Sequence, residues 1–463
     1  MDVLLVAAKR SPYTGESISA PFQGLLSLAA VLRSGTFSET GGLHVSVVDE
    51  QLEFLASPGE PERRWLARYQ PDVVGVQVCT SSLKNGLGLL REARARFPRA
   101  LTILGGPGVA SNAELPVLDE GVDVVVRGEG EVTFPQLLFA FGTEGIRGFA
   151  QIPGIVYLSD DGVPVATRKR EPIMDLDTLP FPARDLVDMA TYRRISRGRA
   201  GNLITSRGCS YACAYCYSKY QWGVGQRRFS VDRTINEIRI MVEEYGIDRI
   251  RIEDDDFVED RVWVTDFCNH LIASKLNLRI EWEAKARPDH MEAGILHLMR
   301  RSGCFRLLMG VETLDPTLLV RLSRPLQIPM LERAIDLLHQ NDVGMQATVI
   351  LGIPGETDQA MRHTLSWLEK RLKHQHDITS PCFFVPFYDE IGAAMYRKLP
   401  FQTDIHDTDF YTGHFPVVSS SACSREELCA LYEDMQADRR GMYERIAHLA
   451  QEDEVHRRMG SVW

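Results

Sequence analysis

From Asn202 onward the chain alternates strand-like runs with helical stretches, and six repeats of that alternation leave few folds open. NLITS, DRIRIED, RIEWEAKA, FRLLMGVE, MQATVILG and ITSPCFFVPF read as strands. Periodic stretches over 231–245, 261–274, 292–302, 330–341 and 358–371 read as the helices between them. The pattern predicts an incomplete parallel (β/α)6 TIM barrel over residues 201–390, with its chemistry at the strand carboxyl ends. Polar and special residues fall there: Cys209, then Glu253, Asp254, Asp255 and Asp256, then Arg287, Glu312, and the run from Gly352 to Glu356.

The first third repeats the logic. DVLLVAA, LHVSVVD, DVVGVQV, LTILGG and VDVVVRG alternate with helical stretches, which predicts a doubly wound, Rossmann-like parallel sheet over residues 1–147. Glycine turns follow two of these strands, at Gly105 and Gly106 and at Gly128, Glu129 and Gly130. Such edges hold ligands carrying phosphate or amide groups, although turn geometry alone also accounts for each. Residues 148–200 read as a hairpin and an extended linker, and residues 391–463 as a mostly helical, substrate-side region. The fold class is α/β throughout.

Composition narrows the partners. With 463 residues, 44% hydrophobic and 25% charged, the chain supports two or three ordinary globular cores. A net charge of −11 argues against nucleic acid as a partner and for a small-molecule substrate. No apolar run reaches the roughly 18–20 residues needed to span a bilayer, and MDVLLVAAKRSPY reads as a strand, not a leader. Of nine cysteines, six are scattered singly, unlike a secreted disulfide framework. The expectation is a cytoplasmic protein with no membrane contact.

The other three, Cys209, Cys213 and Cys216, stand together in RGCSYACAYCYSKY. Structural zinc wants four ligands in separated pairs, and a thioredoxin-like redox pair leaves Cys209 unexplained. Three thiolates after the first barrel strand can instead hold three irons of a cubane cluster and leave the fourth open. This Cys-x-x-x-Cys-x-x-Cys loop, in this barrel context, resembles that of the radical S-adenosylmethionine (SAM) superfamily.

The resemblance implies a [4Fe-4S] cluster whose open iron chelates the amino and carboxylate groups of SAM, so that one electron yields methionine and a 5′-deoxyadenosyl radical. It also implies an external electron donor of flavodoxin or ferredoxin type. Tyr215 takes the place of the aromatic beside the adenine, with simple packing as the alternative. Asp254 and Asp255 resemble the acidic motif that holds the SAM ammonium, an exposed acidic loop being the alternative. Arg287 is placed to pair with the SAM carboxylate, against a structural salt bridge. Glu312 resembles a ribose-side or amino-side contact. Gly352 and Pro354, in LGIPGET, resemble the adenine-side loop.

The first domain resembles the cobalamin-binding domain of one large radical SAM subgroup, on the strength of GLLSLAAVLRSG, LTILGGPG, RGEGEVTFPQLL and the connector DLDTLPFPARDL. That assigns Gly105, Gly106, Gly128, Glu129 and Gly130 to the cobalamin edge, together with Ser81 of the Thr80–Ser82 run, which equally suits helix capping. The Asp-x-His-x-x-Gly loop that gives cobalt a histidine is missing, and His44 lies inside a strand. The function implied is cobalamin-dependent methylation of an unactivated carbon in a small molecule. Non-methylating radical chemistry, such as dehydration, cyclisation or rearrangement, with or without cobalamin, is the alternative.

Overall fold

The computed structural model describes residues 1–10, 20–36, 43–56, 63–109, 118–119, 121–196, 200–223, 225–384, 418–431 and 434. Seven strands form the first sheet: β1 (Asp2–Ala7), β2 (His44–Asp49), β3 (Val73–Gln77), β4 (Leu101–Gly105), β5 (Val124–Val126), β6 (Ile155–Leu158) and β7 (Pro164–Ala166). Their order is β2-β1-β3-β4-β5-β6-β7. Strands β1 to β5 are parallel and bury both faces, so VLLVA and VVV read as continuous apolar runs. The order reverses between β1 and β3, which makes their carboxyl ends the natural crevice.

The hairpin expected in the linker belongs to this sheet. Strand β6 runs antiparallel to β5, with Ile155 opposite Val126, and β7 continues the sheet beyond it. The reason is burial: Ile155 and Val156 are inaccessible to solvent and cover the edge that three-residue β5 leaves open.

The second sheet has β8 (Gly201–Leu203), β11 (Arg249–Ile252), β12 (Glu281–Ala286), β13 (Cys304–Glu312), β14 (Gly344–Leu351) and β15 (Ile378–Phe383), in that spatial order and all parallel. Between β8 and β11 lies a two-strand ribbon, β9 (Ser206–Arg207) against β10 (Arg227–Arg228), with Arg207 opposite Arg227. The cysteine loop is the excursion between those two short strands.

Helix ends follow local chemistry. Ser230, Asp260 and Thr357 accept the first free backbone N–H groups of helices Val231–Tyr245, Arg261–Ala273 and Asp358–Arg371. Gly246, at φ 63°, closes the first of them in the left-handed conformation that glycine tolerates. These helices bury Ile238, Met241, Phe267, Leu271, Met361 and Leu368 against the strands. Each such side chain contributes about 1.5–3 kcal/mol over an exposed one.

No helix among the described residues is long and apolar enough to cross a membrane. The described part of the C-terminal region includes one helical turn pair over 425–431. Asp389 and Glu390, acids that follow the sixth strand run and whose sequence context favours solvent over a substrate contact, and the tail beyond 434 lie outside the described residues.

Candidate functional site

The cysteine loop sits at the carboxyl mouth of the barrel, as expected from its place after the first strand. All three thiols are free, and Cys213 is only 6% exposed. Ala214 N–H donates to Leu322 O at 2.8 Å, and Cys216 N–H to Cys213 O at 3.2 Å, so the loop is tied to the barrel wall and folded on itself. Burial pushes the Cys209 thiol up to about 12 and the Cys216 thiol to about 11, and nearby carboxylates add to both. Among the described residues no three His, Cys, Asp or Glu side chains have already converged to a metal centre. The donor set itself, three soft sulfur ligands on one short loop, suits an iron-sulfur cluster that leaves one iron open.

Around the loop stand the strand ends. Asp254 is 1% exposed and accepts from Thr205 N (2.7 Å), Thr205 Oγ1 (2.5 Å) and Ser206 Oγ (2.6 Å). It therefore ties the end of β11 to the segment entering the cysteine loop. Asp255 accepts from Ser218 Oγ at 2.5 Å, and burial raises its pKa. Arg287, at the end of β12, pairs with Asp289 through Nε and Nη2, each at 3.0 Å, so the ion pair weighed against a ligand role is present.

Tyr215 donates its hydroxyl to Glu312 Oε1 at 2.8 Å. Glu312 ends β13 with φ 64°, a left-handed backbone that costs a non-glycine residue about 1–2 kcal/mol. Burial raises its carboxyl pKa against the opposing pull of Arg324. Gly310 makes room for this arrangement: a Cβ there would stand 2.1 Å from Glu312 Oε1 and 3.0 Å from an Arg324 nitrogen. Arg324 in turn donates to Gly310 O at 2.6 Å.

Gly352, at φ 73°, and buried Pro354 form the turn after β14, with Leu428 packed over Gly352. The same turn buries Glu356, which accepts from Thr313 Oγ1 at 2.8 Å. Desolvation raises its pKa to about 7.

The first sheet meets the barrel at its own carboxyl edge. Ser81 lies in a short turn after β3, with its Oγ 3.3 Å from Cys79 Sγ, while Ser82 Oγ accepts Cys79 N–H at 2.9 Å. Ser82 thus closes the turn on Cys79 and makes no side-chain cap to the helix Leu83–Arg96 that follows, so the capping expected of Thr80–Ser82 is not made there. Gly105 and Gly106 end β4, and a Cβ on Gly106 would come within 2.6 Å of Val78 O, so this glycine lets two strand-end backbones meet. Gly128, at φ 74°, has nothing within 4 Å of where its Cβ would be, and Gly130 is nearly as open. Glu129 does not face that space. Its carboxylate takes Arg207 and Arg227, both at 2.9 Å, and Ile173 N–H at 2.7 Å.

A cobalamin fits this edge on two observations: the open, positive-φ Gly128, and the buried Gln23 Oε1, which has no hydrogen-bond partner and suits a ligand rich in amides. His44 is at the opposite, amino end of β2, paired with Asp2 at 3.0 Å, so it does not stand at the crevice.

Sequence reasoning passed over Arg207, Arg227, Arg324 and His290, and placed Asp256 at a strand end without giving it a role. Arg207 and Arg227 carried a signal, since they flank the cysteine loop. For Arg324 there was none, because it approaches Glu312 only through the return of the chain after β13.

Comparison with known proteins agrees with this architecture. The pattern of the radical SAM superfamily matches residues 203–368, and that of the B12 binding domain matches residues 21–138. An uncharacterized methyltransferase of Pyrococcus horikoshii is 29% identical over 66% of this chain and 65% of its own length. The anaerobic magnesium-protoporphyrin IX monomethyl ester cyclase of Cereibacter sphaeroides is 24% identical over 85% of this chain and 63% of its own. This chain thus spans a little under two thirds of these two relatives. The cytidylyl-2-hydroxyethylphosphonate methyltransferase of Streptomyces wedmorensis is 27% identical over 75% and 73%.

Among solved structures, the radical SAM methyltransferase TsrM of Kitasatospora setae superposes with a TM-score of 0.68 at 18% identity, covering 88% of this chain and 79% of that one. The cobalamin-dependent radical SAM enzyme OxsB gives 0.67 at 19% identity, covering 86% and 55%. Both share the fold. The chain thus joins a B12-binding domain to a radical SAM domain whose barrel carries the three-cysteine loop.

Proposed function

We propose that this chain methylates an unactivated carbon of a small molecule. The observation that carries the reading is the direct joining of the two ligand-bearing edges: Arg207, two residues before Cys209, is bonded to Glu129 and Glu131 of the first domain. Methyl-donor and hydrogen-abstracting sites can then share one cavity. The names of the Pyrococcus and Streptomyces relatives support methyl transfer.

When bound, the cluster with SAM supplies a 5′-deoxyadenosyl radical and cobalamin supplies a methyl group. The chain's own residues hold and shield. Cys209, Cys213 and Cys216 are the cluster ligands. Arg287 is the partner for the SAM carboxylate, Glu312 and Tyr215 form a polar wall beside it, and Asp255 faces the same mouth. Gly352 and Pro354 bring backbone close on the adenine side, while Ser81, Gly105, Gly106, Gly128 and Gly130 frame the cobalamin edge. Asp254 and Glu129 serve by holding loops in place.

Ring formation without methyl gain is the second reading, favoured by the Cereibacter relative's name. The deciding experiment reconstitutes the protein anaerobically with and without hydroxocobalamin, supplies a one-electron donor of flavodoxin type, and assays 5′-deoxyadenosine and S-adenosylhomocysteine. Both products, with a substrate gaining one CH2, support methylation. Deoxyadenosine without the homocysteine product and without retained corrinoid overturns it.

A further inference from the structure

Between the first two cysteines stands Tyr211, and it is the most heavily engaged side chain of the loop. Its ring lies under the Arg287 guanidinium, 3.4 Å from carbon to ring centroid. Its hydroxyl is 3.2 Å from Asp289 Oδ2 and 3.0 Å from His290 Nε2. His290 is held from the far side, its Nδ1 3.1 Å from Asp256 Oδ2. Asp256 is inaccessible to solvent, and neither of its oxygens accepts a hydrogen bond of good geometry, so among the described residues the imidazole is its one partner at ion-pair distance. Burial disfavours the His290 cation, but Asp256 and Asp289 outweigh it and raise the pKa.

The guanidinium is fixed on two sides. Asp289 takes Nε and Nη2, and the Tyr211 face takes the cation from below, while Nη1 makes no hydrogen bond among the described residues. Arg287 is thus aimed before any anion arrives. The negative ring face attracts a buried cation held over it, and losing the face frees the side chain to swing toward Asp289 alone.

We infer that Tyr211 is a positioning residue that makes the SAM-carboxylate arginine and the cysteine loop one rigid unit, with Asp256 and His290 as its anchor. The inference rests on the proposed role of Arg287 and goes beyond it by assigning the residue that orients that arginine. Aromaticity is the property required of Tyr211. The hydroxyl secures the loop, whereas the ring face aims the guanidinium.

The test compares wild type, Tyr211→Phe and Tyr211→Leu, each with its cluster reconstituted. SAM affinity is measured by equilibrium binding, and the change of the reduced cluster's electron paramagnetic resonance spectrum on SAM addition is recorded. Tyr211→Phe keeps the ring and should bind within about threefold of wild type. Tyr211→Leu should bind about tenfold or more weakly, as loss of the ring face predicts, and should show a diminished spectral change at equal SAM. Equal affinity of Leu and wild type overturns the inference while leaving the role of Arg287 intact. A Phe variant as weak as Leu overturns it as well, since the face would then not be what matters. If the reconstituted wild type itself binds no SAM, the functional reading falls and this inference falls with it.

Discussion

Arg207 and Glu131, 76 positions apart in the chain, stand 2.5 Å from each other in the interior, between the first sheet and the barrel. Arg207 is 5% exposed and packs over Trp222, 5.2 Å from the ring centroid. Burial disfavours charge on either group. Their attraction outweighs it, lowering the pKa of Glu131 and raising that of Arg207. Removing the arginine leaves two buried carboxylates, Glu129 and Glu131, with Arg227 as the remaining cation on Glu129. Arg207→Met should therefore cost about 3–5 kcal/mol of stability. Urea denaturation of wild type and variant measures it, and a cost below about 1 kcal/mol would contradict the buried pairing.

The buried Glu356 gives a pH signature. Folding raises its pKa from 4.5 to about 7. The unfolded chain then releases its proton at lower pH than the folded one, so this group's contribution is complete below 4.5 and is lost as pH rises through about 7. Glu356→Gln keeps the shape without the proton. Its stability relative to wild type should rise between pH 4.5 and 7 and level off above, as followed by denaturant titrations across that range. A flat difference would show that Glu356 is not desolvated.

Gly310 is a steric test of the Tyr215 and Glu312 wall. Gly310→Ala places a methyl group where Glu312 Oε1 stands. The carboxylate must move, at a cost of about 1–3 kcal/mol for overpacking, and the bond from Tyr215 should break. Thermal denaturation reads the first effect. A perturbed tyrosine absorbance near the site reads the second.

Cys213 is the most buried of the three thiols. Cys213→Ala should fold with near wild-type far-ultraviolet circular dichroism yet retain no stable cluster on reconstitution, with iron per chain falling well below wild type. Retention of wild-type iron and of reductant-driven deoxyadenosine formation would sink the cluster assignment.

The barrel was legible because each signal was local. Strand runs, helical periodicity and the spacing of Cys209, Cys213 and Cys216 all act within a few residues. What escaped was set by distance along the chain. Glu129 reads as part of a glycine turn, and nothing near it announces Arg207 or Arg227. Asp254 reads as one of three equivalent acids, and only the meeting of β11 with the segment after β8 singles it out as a tie to Thr205 and Ser206. The turn-rich run before the barrel reads as a hairpin, which β6 and β7 are. Its membership of the first sheet depended on the open edge of β5, which no local pattern reveals.

The arginine ribbon that flanks the cysteine loop also sets an order of events during synthesis. Domains tend to fold as they emerge, amino end first. When residue 131 is added to the growing chain, the cations that will neutralise Glu129 and Glu131 are still about 75 to 100 residues from being made. Until then both acids must stay hydrated, and the turn that carries them stays unlocked. The carboxyl edge of the nascent first sheet is finished only when the first strands of the barrel arrive to close it.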